Sequence, residues 1–213
     1  MLKDFLKWFI ILLLCFVVST FIHEIGHGIS DYAIGIHDST GFNKVGQPYK
    51  KPSDTDFRQG REDLQNPWDM GPNVTLLLAV GFTFILIKAK DKNQMAIMVI
   101  GAFAFSNSLI RLVPMIRSYL GLLIKGRFSN EDEIGTGLSW YSLHHIEILK
   151  YIPSSISIIL SLICLYFVVK ALKRKLPTLF SKRIAFVIIC FVAYIISFAI
   201  ETKLDNIIRI NWV

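Results

Sequence analysis

The sequence predicts an all-α fold, a polytopic bundle of about five transmembrane helices that forms one integral membrane domain over residues 1–213. Hydrophobic residues make up 53% of the chain and charged residues only 18%, and the mean hydropathy is +0.51. The charges cluster between apolar runs that are long enough to cross a bilayer, whereas a soluble domain spreads its charges along the chain. The lipid bilayer is therefore the expected environment of the helices.

The apolar runs define the helices in chain order. The first predicted helix covers about residues 5–36, and the others cover about 74–88, 95–115, 152–170 and 184–200. The apolar part of the second helix, residues 74–87, is short, because an α-helix of that length spans only about 21 Å. We expect this helix to be extended by its flanks, tilted, or only partly inserted.

The connection over residues 37–72 is polar and rich in Gly, Pro, Asp and Asn, without a sustained apolar period. This composition is typical of irregular structure. We predict an outer loop here, which acts either as a lid over the helices or as a solvated connector.

The orientation in the membrane follows from Lys and Arg in the short connections, which concentrate on the cytoplasmic side. With five spans, three basic stretches fall on one side: Lys3 and Lys7, then Lys88, Lys90 and Lys92, then six basic residues within 170–183. The pattern predicts a multi-pass protein with a cytoplasmic N-terminus. The connections 37–72 and 116–151 then face outward.

The charge and the cysteines argue against nucleic-acid binding, a disulfide framework and a cysteine metal site. The net charge of +7 is explained by membrane topology, and no binding motif that mixes basic and aromatic residues accompanies it, so we expect no nucleic-acid partner. Cys15, Cys164 and Cys190 lie in separate apolar runs without the spacing of a disulfide framework or metal site, so we expect buried thiols.

The motif HEIGH, residues 23–27, lies near the end of the first apolar run. His23 and His27 are one helical turn apart on the same face, so that their ring nitrogens can bind one metal ion. Two imidazoles suit Zn²⁺, which in catalytic sites takes a third protein ligand and a water. Glu24 stands beside that water as the general base for peptide hydrolysis. A shuffled chain of this composition contains the pattern by chance with a frequency of only about 0.003.

The position of the motif in the membrane strengthens the metal prediction. An ionisable group at midspan costs about 2.5–3.5 kcal/mol on insertion scales, so three such groups within five residues need a compensating partner. If Trp8 marks the inner interface, His23 lies about 22 Å further along the helix, in the outer half of the bilayer. Gly26 and Gly28 either let another backbone come close or serve ordinary helix packing.

Zinc needs a third ligand from the outer side of the membrane. The candidates are the acidic residues after the third helix, Glu131, Asp132, Glu133 and Glu147, and the pair His144 and His145. Asp31 is excluded because it lies two turns beyond His23 on the same helix and would have to reach back past His27. The residues alone leave this set open.

Three stretches of the chain resemble the intramembrane zinc metalloproteases of the site-2 protease family. HEIGHGISDYAIG resembles the active-site helix, MGPNVTLLLAV the Gly-Pro stretch that opens a later helix, and FSNSLIRLVPMI the Asn-containing helix that runs towards a proline. In the common family pattern an aspartate, the third zinc ligand, follows that proline almost at once. Here no aspartate follows Pro114 before Asp132.

The resemblance implies that the segment NEDEIG supplies the third ligand, and we predict Asp132 for this role. It also implies that Asn107 helps to hold the substrate chain or to stabilise the oxyanion. Arg111, four residues further on the same face, either snorkels to the lipid headgroups or pairs with the acidic cluster and orients it.

The predicted function is that of a zinc-dependent intramembrane endopeptidase. Its substrates are membrane proteins or membrane-proximal peptides, cut in or near a transmembrane segment. His23, His27 and Asp132 bind the zinc, Glu24 is the general base, and Asn107 contacts the substrate. Two alternatives stay open: a membrane-surface zinc endopeptidase that trims secreted peptides, and a non-catalytic scaffold that carries zinc.

Overall fold

The structure is a computed structural model, and it describes residues 2–35, 37–46, 70–90, 93–129 and 131–212. Most of the predicted outer loop, residues 47–69, lies outside the described residues, so its role as a lid or a connector stays a prediction.

The described chain is built from helices, which confirms the predicted all-α fold. The helices are α1 (Leu2–Ala33), α2 (Met70–Lys88), α3 (Gln94–Lys125), α4 (Asp132–His144), α5 (Ile152–Lys175) and α6 (Arg183–Leu204). Short 3₁₀ turns follow α4 and α5 at Glu147–Lys150 and Pro177–Phe180. All of these helices except α4 are long and apolar enough to cross a membrane, and we describe the chain as a multi-pass membrane protein.

Helix α2 begins earlier than the apolar pattern indicates. It starts at Met70 and not near residue 74, because Gly71 and Pro72 form its first turn, where proline is tolerated. The extension gives 19 residues, or about 28 Å, which is close to the thickness of the hydrocarbon core. Extension by its flank therefore accounts for the short apolar run.

Helix α3 ends later than predicted. It continues past Pro114 to Lys125 and stops where Gly126 adopts a left-handed conformation with φ 69° and donates its N–H to the Leu122 carbonyl. Gly pays no Cβ penalty in this conformation, which is why it ends helices so often. The extra turns bring the chain to the acidic cluster that opens α4.

Helix α3 is the central element of the bundle and packs against α1, α2 and α5, whereas α6 packs along α1. Near the N-terminal ends of α1 and α6, Trp8 stacks on Phe186 with ring centroids 5.8 Å apart, and Phe105 of α3 meets both rings edge-on. Burial of these large rings supplies much of the apolar packing that holds α1, α3 and α6 together at this end.

At the other end of α1, a small antiparallel sheet ties the chain after α1 to the C-terminal segment. Its strands are β1 (Ser39–Thr40), β2 (Val45–Gly46) and β3 (Ile210–Asn211), in the order β2-β1-β3. Asp205 reinforces this connection, since its Oδ1 accepts hydrogen bonds from the Phe42 and Asn43 amides. The C-terminal segment therefore fixes residues 37–46 beside the end of the helix that carries HEIGH.

Candidate metal centre

The two histidines of HEIGH lie on one face of α1, as their spacing predicts. Their Nε2 atoms are 3.0 Å apart. His23 is buried, with 5% of its side chain exposed, and His27 is 13% exposed. Both rings therefore present a nitrogen to one small volume inside the bundle.

Asp132 completes this group from the first turn of α4. Its Oδ2 atom lies 3.1 Å from Nε2 of His23 and 3.5 Å from Nε2 of His27. Among the residues that the structure describes, these three form the one cluster of His, Cys, Asp or Glu with metal-binding proximity. A separation of 109 residues in sequence is thus closed by the fold.

The donor set fits zinc. Three donors bound to one tetrahedral zinc ion at about 2.0–2.1 Å lie about 3.3–3.4 Å from one another, and the observed separations are 3.0, 3.1 and 3.5 Å. A cation at this point would be shared by lone pairs of all three atoms.

The charge state of Asp132 also suits a ligand. In the metal-free protein, burial raises the pKa of Asp132, but the positive charge of His27 and the hydrogen bonds from the two histidines outweigh burial and hold that pKa well below its usual range. The carboxyl group is therefore ionised at neutral pH, which is the form that binds a metal. Zinc would displace the histidine protons on binding.

A cavity of about 590 Å³ opens onto this centre. Glu24, with 8% of its surface exposed, lines the cavity together with the three candidate ligands. One face of α6 also lines the cavity, through Tyr194, Ser197, Phe198 and Glu201. Residues 43–45, of which Asn43 and Lys44 are polar, line the same cavity. The arrangement places a carboxylate and a metal-binding group around a space that is large enough for a peptide segment.

The sequence leaves two roles open for Arg111, snorkelling to the headgroups or pairing with the acidic cluster, and its contacts decide between them. Its guanidinium is buried and does not snorkel to the headgroups. Nη1 lies 3.2 Å from Oδ2 of Asp132 and 3.4 Å from both carboxylate oxygens of Glu133. Arg111 therefore pairs with the acidic cluster.

The other candidate third ligands lie away from the histidines. Glu131 pairs with Arg117 through a 3.1 Å hydrogen bond from Nε, and Glu147 pairs with Lys150 at the surface. His144 and His145 end α4 and are exposed. Glu133 is buried but faces Arg111 and Ser157. The fold brings only Asp132 of this set within ligand distance of the histidines.

Asn107 is placed differently from the other predicted site residues. It is fully buried between α1 and α3, and its Nδ2 donates to Ser19 Oγ at 2.9 Å and to the Phe103 carbonyl at 2.8 Å. It is not among the residues that line the cavity. Its role in substrate binding stays a prediction, and its observed contacts join two helices.

Gly26 of the motif and Gly28 directly after it are explained by close packing. A β-carbon on Gly26 would lie 3.0 Å from Cα of Gly71, so at Gly26 the backbone of α2 comes close to α1, within the packing of the two helices. A β-carbon on Gly28 would overlap Nε1 of Trp212, so Gly28 makes room for the C-terminal segment.

Two parts of the site are missing from the sequence-based prediction. Gly71 supports the ring of His27, and its only sequence signal is the Gly-Pro step at the start of α2. The α6 wall has a clearer signal, since Glu201 is an acidic residue at the end of an apolar run. It is 2% exposed, and intramembrane acids often mark functional sites.

Comparisons of the chain with protein-family models, with curated proteins and with solved structures gave no match.

Proposed function

We propose that this protein is a zinc-dependent intramembrane endopeptidase that hydrolyses peptide bonds in or near transmembrane segments of membrane proteins. The observation that carries the proposal is the convergence of His23, His27 and Asp132 on one point, with Glu24 on the wall of the same cavity. The resemblance of HEIGH and its flanking stretches to site-2 proteases supports the same function.

The metal ligands and Glu24 would have separate roles in hydrolysis. Nε2 of His23, Nε2 of His27 and Oδ2 of Asp132 would hold the zinc. When bound, zinc supplies a Lewis acid that polarises the peptide carbonyl and lowers the pKa of a water molecule. The Glu24 carboxylate takes a proton from the attacking water and later gives it to the leaving amine.

The burial of the site favours a substrate inside the membrane. The histidines lie within a helix long and apolar enough to span a membrane, and most of the cavity lining comes from α1, α3 and α6, which are all such helices. A transmembrane substrate hides its amides in helical hydrogen bonds, so it must unwind locally before hydrolysis. Helix-breaking residues near the scissile bond should therefore favour cleavage.

Replacement of Glu24 by Gln tests the enzymatic role. The amide keeps the size of the side chain but does not accept a proton from water, so purified Glu24→Gln should retain zinc and lose cleavage of single-span substrates. A loss of about 10²–10⁴-fold in rate is typical for a general base. Unchanged cleavage by Glu24→Gln would contradict the assignment of Glu24, and no cleavage by zinc-loaded wild type across a substrate panel would favour the scaffold.

A membrane-surface endopeptidase is the second candidate function. It is favoured by the polar residues Asn43 and Lys44 in the cavity lining, which suit contact with a soluble peptide. The two protease classes differ in their products. An intramembrane enzyme cuts inside the span of a single-span substrate, whereas a surface enzyme cuts soluble peptides and the flanks.

The orientation is part of the proposal. A cytoplasmic N-terminus places Asp132 at the outer side of the membrane, consistent with the distribution of Lys and Arg. Reporter tags at the N-terminus and in the connection between α3 and α4 test this. A cytoplasmic reporter next to Asp132 would reverse the topology.

A further inference from the structure

Arg111 is a buried cation at the centre of the candidate metal site. It lies on α3, and only 5% of its side chain is exposed. Its Nη2 atom is 3.2 Å from Nε2 of His23, and its Nη1 atom is 3.2 Å from Oδ2 of Asp132. One guanidinium therefore contacts a candidate ligand from α1 and a candidate ligand from α4.

Glu133 and Ser157 hold this guanidinium in place. Glu133, next to Asp132 in α4, lies with both carboxylate oxygens 3.4 Å from Nη1 of Arg111. Ser157 of α5 donates its hydroxyl to Oε1 of Glu133 at 2.7 Å. Glu133 is 3% exposed and Ser157 is fully buried. The chain of contacts thus runs from α5 through α4 and α3 to the histidine on α1.

The contacts of Arg111 differ in how they fit bound zinc. A guanidinium only donates hydrogen bonds, so Arg111 and a zinc ion would compete for the single lone pair of Nε2 of His23. Oδ2 of Asp132 has more than one lone pair, so it can accept from Arg111 and bind zinc together. Ligating histidines are usually oriented by a partner on their other ring nitrogen. Nδ1 of His23 has no hydrogen-bond partner in the described part of the chain, so its orientation is not fixed from that side.

We infer that Arg111 is a positioning residue for the metal centre, held by Glu133 and Ser157 so that Asp132 faces the histidines. This inference rests on the proposed zinc site. Glu133 has a second part in it, because an uncompensated guanidinium beside a metal cation would oppose binding, and the Glu133 carboxylate neutralises that charge. The side chains of α4 then have separate tasks: Asp132 binds the metal, and Glu133 holds the residue that orients Asp132.

A purely structural role for the buried ion pair is the competing explanation, and the two make different predictions. Breaking a buried pair on one side destabilises a protein, whereas removing both charges is often nearly neutral. If Arg111 serves folding alone, zinc affinity should follow stability. If Arg111 positions ligands, zinc affinity should stay weak in a double variant whose stability has returned.

The experiment measures the zinc dissociation constant by chelator competition and, separately, the unfolding midpoint of the metal-free protein in detergent. Arg111→Met and Glu133→Gln should each weaken zinc binding by about 10- to 100-fold, as is typical for partners of metal ligands. Arg111→Lys should rescue only part of the loss, because an ammonium keeps the charge but not the planar fork that reaches Asp132 and Glu133 together. The double variant Arg111→Met/Glu133→Gln should regain the unfolding midpoint and keep weak binding.

The exposed pair Glu147 and Lys150 supplies the matched control, since Glu147→Gln/Lys150→Met removes an ion pair at the surface beyond α4. Its zinc affinity should equal that of wild type. Zinc affinity that is unchanged or tighter in Arg111→Met, or that recovers fully in the double variant, would overturn the inference. Both readouts are independent of cleavage, so a protein that shows the predicted zinc affinities and cuts no substrate would refute the proposed function alone.

Discussion

The ring of His27 lies directly over Gly71: a β-carbon at position 71 would overlap Nε2 of His27. The backbone at the start of α2 therefore packs directly against the ring of a candidate metal ligand. Only glycine leaves this space, because even a methyl group would occupy the position of the imidazole.

Gly71→Ala should displace His27 and weaken zinc binding by at least about 10-fold, the lower end of the loss seen when support for metal ligands is removed. Gly81→Ala is the matched control, because Gly81 lies exposed in the same helix and a methyl group there would meet no other atom within 4 Å. Zinc content of the two purified variants provides the measurement. Equal zinc content in both would show that His27 does not need this space.

The third ligand is tested by isosteric substitution. Asp132→Asn removes the negative charge but keeps the shape, so it should weaken zinc binding by more than the roughly 10- to 100-fold expected for a supporting residue. Glu147→Gln should bind zinc as wild type does, because Glu147 pairs with Lys150 away from the histidines. Chelator competition with both variants is the measurement. Full zinc retention in Asp132→Asn would return the choice of ligand to the neighbouring acidic residues.

The sequence predicted the helices and the α1 part of the metal centre well, and the reason is simple. Apolar runs determine membrane helices almost alone, and His23, Glu24 and His27 owe their geometry to local helical spacing. The bounds of α2 and α3 were less accurate, because Gly71 and Pro114 resemble helix breaks but lie inside helices. Local signals therefore predicted local structure.

The rest of the site depends on tertiary contacts that no local pattern encodes. Asp132 lies in a charged segment that resembles a solvated loop, and only the extension of α3 brings it to the histidines. Arg111 near a helix end resembles a snorkelling residue until its contacts with Glu133 are known. Glu201 joins the cavity because α6 packs on α1, which hydropathy does not predict.

The contact between Gly28 and Trp212 predicts how the C-terminal segment is held. Trp212 donates its backbone N–H to the Asp38 carbonyl and its Nε1–H to Thr40 Oγ1, and its ring occupies the space above Gly28. Gly28→Ala should therefore lower the free energy of unfolding by about 1–3 kcal/mol, the usual cost of overpacking. Denaturant unfolding in detergent gives the value.

Removal of the indole should relieve that clash, so Gly28→Ala/Trp212→Ala should be less destabilised than the sum of the two single variants. The coupling should be about 1 kcal/mol or more, within the usual range for residues in contact. Strictly additive changes in the free energy of unfolding would show that positions 28 and 212 do not interact.

Asp205 predicts a pH dependence of stability. It is 1% exposed, and its Oδ1 accepts the amides of Phe42 and Asn43, so Asp205→Ala leaves two N–H groups without an acceptor. We expect this to lower the free energy of unfolding by about 1–3 kcal/mol. Lys203→Ala, an exposed change at the same helix end, should have little effect.

The pH dependence has a definite sign. Burial raises the pKa of Asp205, although the amides of Asn43 and Phe42 oppose the shift. A carboxyl group whose pKa is higher in the folded state binds its proton more tightly there, so its contribution to stability is fully present below the ordinary pKa of about 3.9 and is lost as the pH rises through the raised pKa. The stability difference between wild type and Asp205→Ala, measured on metal-free protein, should therefore be largest at acid pH and shrink as the pH rises. A stability difference that widens as the pH rises would contradict a raised pKa at Asp205.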